Sequence, residues 1–394
     1  MKIQPMKKRK TFLPFALPDL ANEEIKEVVK TLKSGWLTTG PKTKLFEQKF
    51  AKYIGCKHAI AVNSCTAALH LALAAIGIKE NDEVIIPTMT FAATAEVITY
   101  FKAKPVMADC DPITLLITSE EIEKRITGKT KAIIGVHYGG TPCDIDKITA
   151  VARKHKLKII WDAAHALPTH YKNRFIGTFP DITCFSFYVT KGITTGEGGM
   201  ITTNDSKSAE KMQIMSLHGI SKDAWKRYSK EGSWFYEIIC PGFKYNLTDI
   251  ASSMGLVQLK KCDKFRNKRE KIAQAYNKAF KRLKEIKIPP TTSNSANAWH
   301  LYTIQLNLEK LKINRDKFIE ELSKRNIGTS VHFIPLHMHP YYRNTYNYKG
   351  TDFPNSYNAY KRIISLPIYT KMKTEDVRDV ISAVEDIIIK YAKR

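Results

Sequence analysis

A lysine near the middle of the chain stands where an amine could act covalently on a ligand. Lys191 follows residues 182–187, whose apolar and β-branched side chains predict a buried strand, and a glycine pair at 198–199 comes after it. In α/β proteins ligands bind at strand ends, and burial there would lower the pKa of the amine and free a neutral nucleophile for Schiff-base chemistry. The same pattern also fits a surface lysine that caps a turn, so this stretch alone leaves both interpretations open.

Other residues that could do chemistry follow other strand-like runs. The motif NSCTA at residues 63–67 joins a strand to a helix, where free amides and small hydroxyl side chains can bind a phosphate or simply cap the helix. Asp162 follows the run 158–161 and could hold a cation, such as a protonated ring nitrogen, or cap the next turn. Phe91 could cover one face of a flat ligand or pack in the core.

The elements that must position these residues alternate between strands and helices. Helices are predicted at 67–77, 92–101 and 145–155. Strands are predicted at 59–62, 84–87, 105–108, 132–136, 157–161, 182–187 and 200–203. This alternation predicts a mostly parallel sheet covered by helices on both faces. The last two strands are too close in sequence for a crossover helix, so one of them is expected to be antiparallel or irregularly joined.

Two domains are expected from the length of 394 residues. The large domain is expected over residues 1–260, with a helical amino-terminal segment. Residues 261–394 are expected to form a long helix and a smaller α+β unit, with a proline-rich hinge at 289–293. The elements predicted there are a helix at 264–283, a strand at 301–306, a helix at 315–326, a strand at 329–333, an aromatic loop and a helix at 374–391.

The composition predicts a soluble cytoplasmic protein with no membrane partner. Hydrophobic residues make up 43% of the chain and charged residues 26%, as in globular proteins. The longest apolar run, at 69–78, is too short to cross a bilayer, and the basic amino terminus lacks the apolar core of a secretory signal. The 7 cysteines are scattered without a CxxC pair, which is typical of reduced thiols.

The chain is strongly basic, with a formal net charge of +25. Such a charge can indicate nucleic acid or an anionic membrane as a partner. However, the lysines are spread over predicted helix faces, and no basic block follows residues 7–10. Solvated helix faces are therefore the favoured interpretation, and nucleic acid is not expected as a partner. A positive field could also help to attract a phosphorylated substrate.

The candidate groups fit one ligand. A phosphate site, a ring cover, a carboxylate, the hydroxyl of Ser186 and the amine of Lys191 all fall at ends of successive strands, and together they fit pyridoxal phosphate held in a crevice. The chain also carries the motifs SGWLTTGPKTKLFEQKFAKYIG, AVNSCTAALHLAL, DAAHALP, FSFYVTKGITTGEGG, GFKYNLTDI and VHFIPLHMHPYY. With these motifs in this order, from about Leu13 to the carboxyl terminus, it resembles the DegT/StrS-type sugar aminotransferases.

The resemblance implies the fold and the central residues of the site. The fold would be that of the fold-type-I aminotransferases, an α/β fold whose large domain has a mixed, mostly parallel seven-stranded sheet between helices, plus a smaller α+β carboxyl-terminal domain. Lys191 would bind pyridoxal 5'-phosphate covalently and later shuttle the proton. Asp162 would keep the pyridine nitrogen protonated. Phe91 would stack on the ring, and His165 would lie near its phenolic oxygen.

The resemblance also implies how the phosphate is bound and how the chains assemble. Thr66, Ala67 and Ser186 would bind the phosphate within one subunit. Asn246 would reach the phosphate from a neighbouring subunit. The working unit would therefore be a homodimer with shared active sites.

The reaction implied by the resemblance is amino transfer to a sugar. The amino group of glutamate would pass to the cofactor, leaving 2-oxoglutarate, and then to the keto group of a nucleotide-linked sugar. The motifs LHGISKDAW, PGFKYNLTDI and AWHLYTI most resemble enzymes that make UDP-4-amino-4-deoxy-L-arabinose. A UDP-linked 4-keto sugar is therefore expected, for surface polysaccharide or lipopolysaccharide. A 3-keto or dTDP-linked deoxysugar is the alternative acceptor.

Three histidines in the loop at 332–339 could be metal ligands, but their spacing does not favour a metal site. His332, His337 and His339 fit no compact zinc pattern, and no cysteine flanks them, so no metal site is expected. The resemblance places this loop at the substrate. His332, Tyr341 and Tyr342 are therefore candidate substrate contacts, although packing roles explain the tyrosines equally well.

A protein without enzyme activity remains the alternative of another class. A basic regulator that contacts nucleic acid could use the same scaffold. The intact pair of Lys191 and Asp162 favours the enzyme.

Overall fold

The computed structural model describes residues 9–221, 235–291 and 295–393. Its strands are β1 (His58–Val62), β2 (Glu83–Pro87), β3 (Lys104–Ala108), β4 (Thr130–Val136), β5 (Lys158–Asp162), β6 (His170–Tyr171), β7 (Arg174–Phe175), β8 (Ile182–Ser186), β9 (Gly199–Thr203), β10 (Ile286–Lys287), β11 (Ser295–Ala296), β12 (Tyr302–Leu306) and β13 (Ile363–Leu366). Its helices are α1 (Asn22–Lys33), α2 (Pro41–Ile54), α3 (Cys65–Ile76), α4 (Ala92–Thr99), α5 (Ser119–Glu123), α6 (Ile145–Lys154), α7 (Ser206–Met215), α8 (Asp249–Lys260), α9 (Cys262–Phe280), α10 (Arg315–Lys324), α11 (Pro340–Tyr346), α12 (Pro354–Tyr360) and α13 (Thr374–Tyr391).

The main sheet contains seven strands in the order β1-β9-β8-β5-β4-β2-β3. Strands β3, β2, β4, β5 and β8 run parallel, and β9 pairs antiparallel with both β8 and β1. The prediction that one of the last two strands is antiparallel is confirmed. Because the parallel strands all end at the same edge, this edge collects the residues that follow them.

The main sheet is buried on both faces, as its β-branched and apolar runs predict. Side chains alternate across a strand, so neighbouring residues enter different apolar clusters. Trp161 and Phe185 enter the cluster that includes residues of α2, whereas Ile160 and Cys184 enter the cluster that includes residues of α3. Helices therefore cover both faces of a mixed, mostly parallel sheet, and the predicted α/β fold class is confirmed.

A smaller sheet, in the order β10-β12-β13, lies with α9, α10 and α13 around a third apolar cluster. The prediction of a strand at 329–333 is wrong, because that segment makes only an isolated bridge between Ser330 and Ser365. Its residues His332 and Phe333 instead line a cavity. Strand β12 pairs with β10 on one side and with β13 on the other, and β13 is a short buried run within the stretch that was predicted to be an aromatic loop.

The division of the chain at residues 260 and 261 stays a prediction. The third apolar cluster draws mainly on α9, α10, α13 and the small sheet, but it also includes Leu13 of the amino-terminal segment. Parts of three predicted features lie outside the described residues. These parts are residues 292–293 of the hinge, residues 222–225 of the motif LHGISKDAW and residues 7–8 of the basic amino-terminal segment. Among the described residues, no helix is both long and apolar enough to span a bilayer.

Candidate active site

A cavity of about 340 Å³ opens at the carboxyl-terminal edge of the main sheet. Val136, Asp162 and Ser186, the last residues of β4, β5 and β8, lie in its wall. The cavity brings together most of the predicted site residues. Those in its wall are Thr66, Phe91, Asp162, His165, Ser186, Lys191 and His332.

Lys191 lies on a tight turn between β8 and β9. Its amide donates to the carbonyl oxygen of Tyr188 at 2.9 Å, while the hydroxyl of Thr194 and the amide of Thr195 donate to the Phe187 carbonyl at 2.9 and 3.0 Å. Burial lowers the pKa of Lys191 to about 8, although the carboxylate of Asp162 acts in the opposite direction. A much larger fraction of this amine is therefore neutral near pH 7 than in an ordinary lysine.

Asp162 is a buried carboxylate that faces the cavity. Its Oδ2 accepts a hydrogen bond from the Thr94 hydroxyl at 2.9 Å, and its Oδ1 accepts one from the Ala164 amide at 3.0 Å. Burial raises its pKa, and the two hydrogen bonds oppose that shift. Among the described side chains, no lysine or arginine forms an ion pair with Asp162. A cationic group of a ligand would therefore stabilise its charge.

The amino terminus of α3 offers a phosphate site. Ser64 caps this helix by accepting a hydrogen bond from the Ala67 amide at 3.0 Å, and the amides of Cys65 and Thr66 belong to the first turn, which lacks intrahelical acceptors. Strand β9 packs directly on this terminus. A Cβ at Gly199 would lie 2.6 Å from the Ser64 carbonyl, so only glycine allows the approach.

Aromatic and imidazole rings form the rest of the wall. Phe91, the residue before α4, lines the cavity with 63% of its surface exposed, and its ring lies 6.1 Å from that of Phe333. The rings of His165 and His300 lie 4.3 Å apart, and burial lowers the pKa of both well below the usual value. Burial also lowers the pKa of His332 to about 4. These rings are therefore neutral near pH 7 and add no positive charge beside the amine.

His165 has a defined tautomer in this arrangement. Its Nδ1 accepts a hydrogen bond from the Gly139 amide at 3.3 Å. In the neutral ring the proton must therefore sit on Nε2, which makes that nitrogen the donor.

Several lining residues were missed by the sequence analysis. Glu197 and His300 lie inside motifs that carry the resemblance, so a local signal was available for both. Phe15 reaches the cavity from the amino-terminal segment, and Thr94 supports Asp162 from α4. No local pattern marks either of these two, because their contacts join parts of the chain that are distant in sequence.

Four predicted site residues lie outside the wall of this cavity. Ala67 lies just behind it, with its amide engaged by Ser64. Asn246 donates to the Thr39 hydroxyl at 2.6 Å and lines a separate cavity of about 80 Å³. Tyr342 is buried against Tyr346, and Tyr341 is exposed, both on α11. Their roles at the phosphate, the substrate or a second subunit stay predictions.

The other histidines of the loop at 332–339 point to different surroundings. His337 is buried, with its Nδ1 2.7 Å from the Thr88 hydroxyl, whereas His339 is half-buried. Within the described ranges, no group of three or more histidine, cysteine, aspartate or glutamate side chains is arranged to hold a metal ion.

The cavity residues fit pyridoxal phosphate. Lys191 offers an amine with a lowered pKa, Asp162 offers a buried carboxylate that forms no ion pair with a described side chain, and the first turn of α3 offers amides for a phosphate. Phe91 offers an exposed ring beside them. Each of these groups matches one part of the cofactor: the aldehyde, the pyridine nitrogen, the phosphate and the ring face.

Comparison with known sequences identifies relatives over nearly the whole chain. Residues 18–385 match the sequence profile of the DegT/DnrJ/EryC1/StrS aminotransferase family. The chain is 57% identical over 380 residues to the uncharacterized protein MJ1066 of Methanocaldococcus jannaschii, covering 96% of this chain and 98% of that protein. It is 50% identical over 384 residues to the spore coat polysaccharide biosynthesis protein SpsC of Bacillus subtilis, covering 97% and 99%.

Solved structures give the same result. The putative sugar aminotransferase Spr1654 of Streptococcus pneumoniae, in its PLP form, has a TM-score of 0.90 and 35% identity, covering 96% of this chain and 99% of that one. PseC of Helicobacter pylori, an aminotransferase involved in the biosynthesis of pseudoaminic acid, has a TM-score of 0.88 and 30% identity, covering 97% and 100%. The predicted aminotransferase activity and pyridoxal phosphate cofactor are confirmed. The chain belongs to the DegT/DnrJ/EryC1/StrS aminotransferase family.

Proposed function

We propose that this enzyme transfers the amino group of glutamate to the keto group of a nucleotide-linked sugar, with a UDP-linked 4-keto sugar as the preferred acceptor. The observation that carries the proposal is the pairing of Lys191 and Asp162 in one cavity at the strand ends. The names of SpsC and PseC support a sugar acceptor and a role in surface polysaccharide synthesis. A 3-keto or dTDP-linked deoxysugar is the alternative acceptor.

The residues of the cavity would divide the work between binding and proton transfer. Pyridoxal phosphate, when bound, supplies an electron sink for charge that develops at the reacting carbon. Asp162 would hold positive charge on the pyridine nitrogen, and the first turn of α3 would hold the phosphate. In the first half of the transfer the Nζ of Lys191 would take the proton from the amine-bearing carbon of the donor and deliver it to the cofactor, and in the second half it would move a proton from the cofactor to the former keto carbon of the sugar. The lysine's pKa of about 8 suits a group that both accepts and releases protons near neutral pH.

Phe91 and His165 would orient the ring and limit the access of water. Phe91 would cover one face of the ring. The Nε2 of His165, as the protonated nitrogen of a neutral imidazole, would donate to an oxygen of the ring. Neutral rings at His165, His300 and His332 would avoid repelling a protonated Lys191.

We also propose a cytoplasmic homodimer with shared sites. Asn246 lies outside the cavity of its own chain, where it would be free to serve a neighbouring one. Helix α1 supports a protein partner, because Ile25, Val29 and Leu32 are exposed on it. The cysteines of the described residues are all unpaired, as expected in a reducing compartment.

A spectroscopic assay with a panel of acceptors would test the proposed function. Glutamate should convert the cofactor-loaded enzyme from its pyridoxal to its pyridoxamine form, and 2-oxoglutarate should be released. A UDP-linked 4-keto sugar should then restore the first spectrum faster than a dTDP-linked or 3-keto sugar. Reaction with 3-keto sugars alone would contradict the acceptor preference. Failure of every keto sugar to restore the spectrum would contradict sugar amination.

A further inference from the structure

Arg269 is a buried arginine that contacts the turn carrying Lys191. It stands on α9 with 6% of its surface exposed. Its two terminal nitrogens donate to the carbonyl oxygens of Gly192 at 3.3 Å and Lys191 at 3.4 Å, and its buried Nε has no partner in the part of the chain that the structure describes. Among the described residues, no carboxylate forms an ion pair with it.

The burial of the charged guanidinium of Arg269 has to be offset by interactions within the protein. Removing a charge from water is costly unless hydrogen bonds or an opposite charge compensate, and here the two carbonyl groups accept hydrogen bonds while the carboxylate of Asp19 also favours the charged form. Burial lowers the pKa of Arg269 to about 10, so the group remains charged near pH 7. On the same helix Ile272, Ala273 and Tyr276 pack into the third apolar cluster. Helix α9 therefore connects the core of the small sheet to the Lys191 turn through one side chain.

The turn is held from other directions as well. A Cβ at Gly192 would lie 2.3 Å from the carbonyl oxygen of Leu167, so the backbone is confined between that carbonyl and the guanidinium. The amide of Thr194 donates to the buried Gln258 of α8 at 3.3 Å. The backbone on the carboxyl side of Lys191 is thus fixed by polar side chains of two helices.

We propose that Arg269 is a positioning residue for Lys191, which holds the carbonyl groups of Lys191 and Gly192 and thereby fixes the direction in which the lysine side chain enters the cavity. Without these bonds both carbonyls would lack a donor, and the turn would relax toward water to satisfy them. The amine would then leave its desolvated position. This inference rests on the proposed role of Lys191 and is independent of the sugar that the enzyme accepts.

The reactivity of Lys191 in the full-length protein without cofactor tests the proposal. A neutral acetylating reagent would be applied over a pH series, and labelling of Lys191 would be measured by peptide mass spectrometry against the exposed Lys207. In R269M, labelling of Lys191 at pH 7 should fall about tenfold for each unit by which its pKa rises from about 8 toward its ordinary value. Labelling in R269K should fall less than in R269M, because lysine can still donate to one of the two carbonyls. It should nevertheless fall below the wild-type level, because one nitrogen cannot serve both carbonyls as the planar fork does.

The matched control is R266M on the same helix. Arg266 donates to the Asn297 carbonyl at 3.2 Å and to Glu270 at 2.9 Å, and it makes no hydrogen bond to the Lys191 turn. This variant should keep the wild-type labelling profile, and thermal melting would verify that each variant is folded. A wild-type profile in R269M, or an equal loss in R266M, would overturn the proposal.

Two further readouts keep the test decisive. If R269M does not fold, R269K carries the test, and an unchanged profile in R269K contradicts the proposal. In the loaded enzyme, R269K should lower kcat while KM for the sugar nucleotide stays constant, because the lost contact serves the amine rather than the acceptor. Since labelling uses no donor, acceptor or cofactor, its outcome is separate from success or failure of the amino-transfer assay.

Discussion

The support that Thr94 gives to Asp162 leads to a quantitative prediction for pH dependence. The Thr94 hydroxyl has one hydrogen, which it donates to Asp162 at 2.9 Å. Hydrogen bonds to charged groups contribute about 1.5–3 kcal/mol, and one pKa unit corresponds to about 1.4 kcal/mol. The isosteric change T94V should therefore raise the pKa of Asp162, already raised by burial, by about 1–2 units.

The assay is the affinity for pyridoxal phosphate, titrated by absorbance over a pH series. Below its pKa the Asp162 carboxyl is neutral and no longer stabilises a cationic ring nitrogen, so affinity should fall on acidification. In T94V the midpoint of this fall should move to higher pH by about 1–2 units, while affinity well above the midpoint changes little.

The control for this prediction is T90V. The Thr90 and Thr94 hydroxyls lie 2.8 Å apart, and because Thr94 uses its hydrogen on Asp162, Thr90 must be the donor between them. T90V leaves the bond to the carboxylate in place, so its midpoint should move much less. An unchanged midpoint in T94V, or a uniform loss of affinity at every pH, would refute the reasoning.

Three further predictions concern the phosphate site, the amine and the core. G199A should weaken cofactor binding by about 1–3 kcal/mol, measured by absorbance titration, because its Cβ would meet the Ser64 carbonyl at 2.6 Å; wild-type affinity would argue against the close approach. In the cofactor-free protein, acetylation of Lys191 should reach half its maximal rate near pH 8, and a midpoint near 10.5 would show that the amine is not desolvated. Burial opposes the shift, but hydrogen bonds from Lys261, Gln258 and the Ala21 amide lower the pKa of Glu24 below its ordinary value of 4.5. The stabilisation is therefore present above that value and is lost as pH falls. E24Q should lower the free energy of unfolding, measured with urea, by about 2 kcal/mol near pH 7 and by less near pH 3. An equal loss at both pH values would contradict the assignment.

The site residues that follow strands were the ones that the sequence predicted most clearly. Lys191, Asp162 and the NSCTA motif each follow an apolar run, and parallel strands bring such positions to one edge. The alternation of strand and helix predicted the main sheet for the same reason, since each buried run is bounded by polar or small residues. Chemistry that depends on strand ends is therefore visible in the sequence of a parallel sheet.

The remaining features depend on contacts that no local pattern records. The run at 329–333 looked like a strand, but His332 and Phe333 turn toward the cavity, and the short run of β13 pairs with β12 instead. Thr94 and Arg269 lie within helices, where the sequence does not show which distant polar group each side chain contacts. Their partners follow only from the packing of α4 against the main sheet and of α9 against the turn that carries Lys191.

The most direct test of the central claim asks which amine holds the cofactor. Borohydride reduction of the loaded enzyme should trap the cofactor on that amine, and peptide mass spectrometry should then find its mass on Lys191. K191A should show no trapped cofactor and should lose amino transfer. Label on another lysine, or amino transfer retained by K191A, would contradict the account.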